Sequence, residues 1–301
     1  MRIGISGASG LVGSLLTDRA RERGWEVVPL VRRREQEGIY WSIPDQVVDL
    51  EGLEGLDALV HLAGENLGGR RWTEGQKARI LNSRVEGTTL LAEALGELRQ
   101  PPATFLSASA VGYYGDTGDE WVDEESSAGE GFLAEVCEAW EESADRAIES
   151  GARVVKARFG VILSKEGGAL ERMLTPFRLG IGGRLGGGNQ YMSWIGHEDT
   201  VRALLFLLDT EALSGAVNVT SPQPVRNSEL TKALGEALGR PTILPLPGPV
   251  LKVVLGSELA EEMLLQGQRV RPTKLLKAGF TFRAPGIEEG LKSALEDHGE
   301  S

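Results

Sequence analysis

The first thirteen residues constrain the fold more than any other stretch of the chain. Arg2–Ser6 (Arg-Ile-Gly-Ile-Ser) is a short apolar run that reads as a buried strand, and Gly7, Gly10 and Gly13 follow it directly. Leu11, Val12, Leu15, Leu16 and Ala20 then recur at helical spacing on one face, with Ser14, Thr17, Asp18 and Arg21 to Arg23 on the other. Gly24 supplies a helix stop. Three glycines where a strand turns into a helix are what a dinucleotide-phosphate site requires. Gly7 permits the tight turn, Gly10 lets a pyrophosphate approach the backbone, and Gly13 lets the helix pack closely on the strand. Leu11 and Val12 lie in the first helical turn, whose N–H groups and positive dipole end face the phosphates. The alternative, a glycine turn without a ligand, is disfavoured by the strand before it and the helix after it.

Strand and helix keep alternating. Further strands are expected at Glu26–Val31, around Tyr40-Trp41 and Val47-Val48, and at residues 57–64, 103–107, 153–163 and 216–220. Helices are expected at 73–98, with Thr73 as N-cap, and at 131–150 and 200–208. That alternation argues for an α/β fold with a doubly wound, Rossmann-like parallel sheet. Residues 1–165 and 195–222 are assigned to a nucleotide-binding domain. Residues 166–194 and 223–301 are assigned to a smaller, mostly helical substrate domain. In the latter, Asn227 or Ser228 caps a helix that stops at Gly239, and 250–266 reads as another helix. The insertion at 176–194 looks too glycine-rich for regular structure and too long for an idle connection, so it reads as a mobile wall of the substrate pocket. It is bracketed by Phe177, Arg178, Tyr191 and Trp194; Arg178 and Trp194, with Tyr114, are the expected substrate contacts, and Arg178 or Arg184 would suit an anionic group.

Arg32-Arg33-Arg34 closes the second strand, and no acid occurs before Glu35. An acid near this point takes a ribose 2′-hydroxyl, whereas an arginine accommodates a 2′-phosphate. Arg32 and Arg33 therefore point to NADP(H), the alternative being a solvated charged loop. The 301 residues are 41% hydrophobic, enough for a large core, and carry a formal charge of −12, which argues against a general nucleic-acid surface. Cys137 is the one cysteine, which fits a reducing compartment. No apolar run reaches the ~18 residues that a membrane span needs, and the N-terminus enters a strand without a signal-peptide pattern. A cytoplasmic protein with a small-molecule substrate, and with no nucleic-acid or membrane partner, is expected; a homodimer is compatible with such a chain. His61, His197 and His298 lack metal-ligand spacing, so no metal is expected.

With Ser6 before it, the Gly-x-x-Gly-x-x-Gly spacing resembles the signature of the extended branch of the short-chain dehydrogenase/reductase superfamily. Leu62-Ala63-Gly64-Glu65-Asn66 resembles that branch's small-residue turn against the cofactor's adenine ribose and pyrophosphate. Ser107-Ala108-Ser109, running on to Tyr113-Tyr114-Gly115, resembles its serine-rich turn and places Ser109 where the catalytic hydroxyl stands. The match extends through Phe132 to Trp140, Gly167 to Leu170, Pro176 to Gly180, Ser193 to Ile195 and Gln266 to Val270 with Pro272. These resemble an NAD(P)-dependent epimerase/dehydratase subgroup with its own C-terminal module. The resemblance implies cofactor roles for Leu62, Ala63, Gly64, Ser107, Ala108, Arg158, Gly160 and Val161, and favours one for Arg84 over a solvated helical residue.

The chain departs from the superfamily at its catalytic pair. There a Tyr and a Lys four residues apart share one helical face, and the Lys lets the Tyr act as acid or base near neutral pH. Here the same helix offers Phe132, Leu133, Val136 and Cys137, with no tyrosine between Tyr114 and Tyr191 and no lysine between Lys77 and Lys156. Two readings follow. The chain is an NADP(H)-dependent oxidoreductase or epimerase with another acid/base, Ser109 with Tyr113 or Tyr114, or it is a non-catalytic NADP(H) sensor or partner-binding module.

Overall fold

The computed structural model describes residues 1–68 and 70–296. An eight-stranded sheet is its centre. In chain order the strands are β1 (Arg2–Ser6), β2 (Glu26–Val31), β3 (Ile39–Ser42), β4 (Val47–Val48), β5 (Ala58–His61), β6 (Thr104–Ala110), then Arg153–Phe159 and Gly215–Val219. Their spatial order, from one edge to the other, is Gly215–Val219, Arg153–Phe159, β6, β5, β1, β2, β3, β4. β1 pairs in parallel with β2 and β5, and β5 with β6. The order reverses at β1, so its C-terminal end lies at the switch point where α/β sheets bind ligands. β3 and β4 close one edge as an antiparallel pair.

Contacts divide the chain into two compact units. The first contains residues 1–110, 135–158 and 201–217; the second contains 111–134, 159–200 and the chain from Asn218. In the first, Leu53, Leu59, Leu91, Leu95 and Phe105 are fully buried between sheet and helices. In the second, Leu170, Leu234, Leu291 and Trp194 form a separate core. The helices after β1 (Leu11–Glu22) and after β5 (Glu74–Gly96) form as their periodicity predicts, and the Thr73 hydroxyl accepts from Gln76 N–H as an N-cap.

Four local expectations fail for non-local reasons. Residues 153–163 are two strands, not one. At Gly160 the N–H donates to Val219 O (3.1 Å), and one residue on the Val161 N–H donates to Ser193 O (2.8 Å). Val161–Leu163 consequently pairs with Trp194–Gly196 outside the main sheet. The helix at 227 is not capped by Asn227 or Ser228; Arg226 is the N-cap, because the Asn227 side-chain oxygen accepts from Leu185 N–H (2.8 Å) instead. The helix expected at 250–266 breaks at Gly256 (φ 98°) into Gly248–Leu255, Ser257–Ala260 and a π turn at Glu261–Leu265. Finally, Pro176, Phe177 and Arg178 are not loop: they end the helix Gly168–Arg178.

Candidate functional site

The turn after β1 has the geometry its glycines allow. Gly7 sits at φ 71°, and the Gly10 N–H donates to Gly7 O (2.9 Å). A side chain at Gly13 would overlap the Gly7 carbonyl, so this glycine sets the approach of helix to strand. At Gly10 a Cβ would meet only Gly7 O, at 3.2 Å. Gly10 is also the helix N-cap, with no side chain to cap and no acid in the first turn. The first helical N–H groups, those of Leu11, Val12 and Gly13, lie at the positive end of the dipole.

A buried polar pair, which the sequence reading missed, joins this turn to its neighbour. His61, at the end of β5, is fully buried, and its Nδ1 lies 2.6 Å from Ser6 Oγ. Ser6 Oγ accepts from Leu62 N–H (3.1 Å) and Ala63 N–H (3.3 Å). Having accepted twice, the hydroxyl donates its own hydrogen to Nδ1, so the imidazole is neutral with its proton on Nε2. Burial pulls its pKa down to about 4, as Trp41 and Phe105 surround the ring. Arg84 supports the same turn from below. Its guanidinium donates to Ile80 O and Glu65 O (3.1 and 3.0 Å), stacks over Trp140 (5.0 Å), and a Cβ at Gly64 would stand 3.4 Å from it. Arg32 and Arg33 are exposed at the end of β2, while Arg34 lies over the Tyr40 ring at 4.1 Å.

Ser107, Ala108 and Ser109 at the end of β6 are all buried. The Ser109 hydroxyl donates to Glu141 Oε1 (2.7 Å), and Arg158 grips the same carboxylate with Nε and Nη2 (2.7 and 2.8 Å). Arg158, expected at the cofactor, is thus only 3% exposed and its guanidinium is spent on Glu141. Cys137 lies one turn before Glu141 on the Phe132–Asp145 helix, and burial and the Glu141 charge push its thiol up to about 12. It remains neutral and cannot stand in for a lysine. Glu141 was findable: it is the one acid on the helix face that also carries Val136, Trp140 and Ala144.

In the second unit, Tyr114 is buried and donates to Asn218 Oδ1 (2.8 Å), so it serves the interior rather than an open surface. Tyr113 is half-buried, edge-on to Tyr114. Trp194, expected at the substrate, is completely buried; its Nε1–H donates to Gln223 O (3.0 Å) and its ring packs on Gly290. Position 160 has room for glycine alone, because a Cβ would stand 2.8 Å from Ser193 O. Val161 is bound into the short strand beside Trp194, and Arg178 is exposed at its helix end. The Glu262 carboxylate accepts from the N–H groups of Phe132 (3.0 Å) and Leu133 (2.8 Å), capping the helix on which the Tyr–Lys pair is missing. Glu124, buried beside Asn218 N–H and Lys274 N–H, has its carboxyl raised by that burial.

Among the described residues no group of three or more His, Cys, Asp or Glu could hold a metal ion, and no helix is long and apolar enough to cross a membrane. His298 lies outside the described residues.

A mostly parallel sheet with a glycine turn at its switch strand, followed by small-residue turns after β5 and β6, defines a Rossmann-type protein of the short-chain dehydrogenase kind. The chain belongs to the NAD dependent epimerase/dehydratase family, whose profile matches residues 3–220. A domain of unknown function, DUF1731, matches residues 246–294. The chain is 46% identical over 291 residues to the epimerase family protein Mb2239 of Mycobacterium bovis, covering 96% of both. It is 37% identical over 298 residues to the epimerase family protein SDR39U1 of Homo sapiens, covering 98% of this chain and 100% of that one. The crystal structure of human SDR39U1 (isoform 2) with NADPH superposes with a TM-score of 0.90 at 35% identity, covering 98% and 99% of the two chains. A UDP-galactose 4-epimerase at 22% identity, TM-score 0.75, shares the fold.

Proposed function

We propose that this chain is an NADP(H)-dependent enzyme of oxidoreductase or epimerase type, acting on a small substrate that carries a carbonyl or hydroxyl group. The observation that carries the cofactor half is the exposed Arg32-Arg33 pair at the end of β2, where an NAD-selective site keeps an acid. The human relative described with NADPH supports it. The residues fit the group, since a Gly10 without side chain, whose Cβ would meet no atom but Gly7 O, and a helix start without a side-chain cap suit a pyrophosphate. Gly7, Gly10, Leu11, Val12 and Gly13 would hold it, Arg32 and Arg33 the 2′-phosphate, and Leu62, Ala63 and Gly64 the adenosine side, with Arg84 beneath. A bound nicotinamide would supply or accept hydride. The protein must then hold or move a proton. Ser109 gives its hydrogen to Glu141, so it presents lone pairs and accepts rather than donates. Tyr113 is left as the proton-carrying candidate, and with no lysine on the following helix turnover is expected to be slow.

Calorimetric titration with NADPH and NADH tests the cofactor. A hydrogen bond to a charged group contributes about 1.5–3 kcal/mol, so Arg32→Glu is expected to cost roughly 10- to 100-fold in NADPH affinity. Equal affinity of the unaltered chain for NADH overturns the assignment. NADPH oxidation across a carbonyl panel tests the chemistry, with Ser109→Ala and Tyr113→Phe singly and together. Rates that match the parent clear these residues of a catalytic role. The second reading, a non-catalytic sensor, is favoured by Cys137, a neutral buried thiol on the helix where the superfamily keeps a lysine; no turnover of any compound by a chain that binds NADPH selects it.

A further inference from the structure

Three arginines follow β2, and they are not equivalent. The side chains of Arg32 and Arg33 are exposed and make no hydrogen bond or ion pair among the described residues. Arg34 is exposed as well, but its guanidinium carbon stands 4.1 Å from the centre of the Tyr40 ring. No carboxylate among the described residues pairs with it. The ring therefore holds this positive charge in place without neutralising it.

Tyr40 reaches that position through the strand register. β3 pairs with β2 only at its end, Leu30 beside Ile39 and Val31 beside Tyr40, so from Trp41 onward β3 runs past the last residue of β2. The chain makes the short return through Gly38, at φ 140°, where a Cβ would overlap the Pro29 carbonyl. β3 then folds back into β4, with Trp41 opposite Val48 and Ser42 opposite Val47. The hairpin projects beyond the C-terminal end of β2, on the edge where α/β sheets bind ligands. The tyrosine is fixed from this hairpin. Its O–H donates to Asp45 Oδ2 (3.3 Å), which also accepts from Ser42 Oγ (2.7 Å). On the other face of β3 the buried Trp41 ring lies edge-on to His61 at 5.7 Å, which anchors the strand that carries the tyrosine.

A phosphate that recruits an unanchored arginine must freeze a long side chain. A guanidinium already laid on a ring has given up that freedom beforehand, and its fork of N–H donors suits a phosphate dianion. Asp45 engages the tyrosine hydroxyl and leaves the guanidinium its charge. We propose that Arg34, positioned by Tyr40, is the side chain that discriminates NADP(H) from NAD(H), with Arg32 and Arg33 adding charge beside it. The proposal rests on the cofactor reading above and assigns Tyr40 a positioning role within it.

Calorimetric titration of the full chain with NADPH and NADH provides the test. Arg34→Leu is expected to lose roughly 10- to 100-fold in NADPH affinity, and Tyr40→Leu roughly 3- to 10-fold, each with NADH affinity unchanged. Tyr40→Phe keeps the ring and should stay within about 3-fold of the parent. In the Arg34→Leu background Tyr40→Leu should cost nothing more, because the ring then has no guanidinium to hold. A Tyr40→Leu chain that binds NADPH as the parent does overturns the proposal. So does one that weakens NADPH and NADH equally, which makes the ring merely structural. Should Tyr40→Leu not fold, Arg34→Leu decides, since its side chain is exposed; NADPH affinity unchanged there overturns the proposal. A parent that binds the two cofactors equally removes the cofactor reading and the proposal together, whereas a selective parent with equally selective variants removes the proposal alone.

Discussion

Two glycine-rich loops serve the molecule in opposite ways. Gly7, Gly10 and Gly13 punctuate the turn after β1; Gly180 to Gly188 contains six glycines in nine residues. By composition the second should be much the looser. It is packed instead. A side chain at Gly182 would overlap the Phe177 ring, one at Gly183 would overlap the Leu244 carbonyl, and one at Gly186 would stand 2.8 Å from Leu265. In the first loop Gly13 is equally cramped, but a Cβ at Gly10 would meet a single atom, Gly7 O, at 3.2 Å. A missing side chain makes room either for the protein's own atoms or for a ligand's, and the glycine count does not distinguish the two.

The largest effect expected from breaking this contrast is at Gly13. Gly13→Val forces helix and strand apart against backbone, at a cost of about 3 kcal/mol or more, and is expected to abolish NADPH binding with it; a denaturation midpoint equal to the parent's would refute the packing role. Next is acid. The glycine turn after β1 is tied down through buried His61, whereas the second loop is held by backbone hydrogen bonds to Leu246 and by the Asn227 side chain, which accepts from Leu185 N–H. The His61 pKa falls from 6.5 to about 4 on folding, so between those values the unfolded chain binds the proton and the folded chain does not. Stability present at neutral pH is therefore lost as pH falls from 6.5 towards 4, by about 3 kcal/mol. Urea midpoints at several pH values should show this slope in the parent and lose it in His61→Gln; parallel slopes would remove the argument. Third, Gly183→Ala should cost about 1–3 kcal/mol and leave NADPH affinity intact, because it disturbs only the second unit; a calorimetric loss of affinity would contradict that separation. Smallest in stability is Gly10→Ala. Its Cβ would press on Gly7 O alone, so it should destabilise the ligand-free chain by only about 1 kcal/mol, yet the gain in melting temperature from NADPH should vanish. A variant that NADPH still stabilises would show that Gly10 does not face the phosphates.

The fold was legible wherever the signal was local. The strand–glycine turn–helix at the start of the chain, the Thr73 cap and the helical stripes each depend on residues a few positions apart, and each formed as expected. What the sequence hid depends on distant partners. Nothing near Gly160 tells a reader that hydrogen bonding passes from Val219 to Ser193 there. Asn227 has every local property of a cap, and Leu185 claims its side chain from 42 positions away. Trp194 looked like a pocket wall because an aromatic after a glycine loop suits one, and it is the largest fully buried side chain among the described residues. The candidate site divides the same way: the glycine turn and the exposed arginines after β2 are local features that the sequence displays, but the partner of Ser109 is Glu141, 32 residues on.

The Glu262 cap bears on how the chain divides. The family profile ends at residue 220 and the DUF1731 profile begins at 246, as though the C-terminal piece could be detached. Yet the helix that starts at Phe132 has its first two amide hydrogens satisfied by a carboxylate 130 positions downstream. Truncation at the profile boundary would leave that helix unfinished at its start, a loss of about 0.5–2 kcal/mol from the cap alone. The seam between the two profiles is one of sequence matching, and the chain's hydrogen bonds run across it.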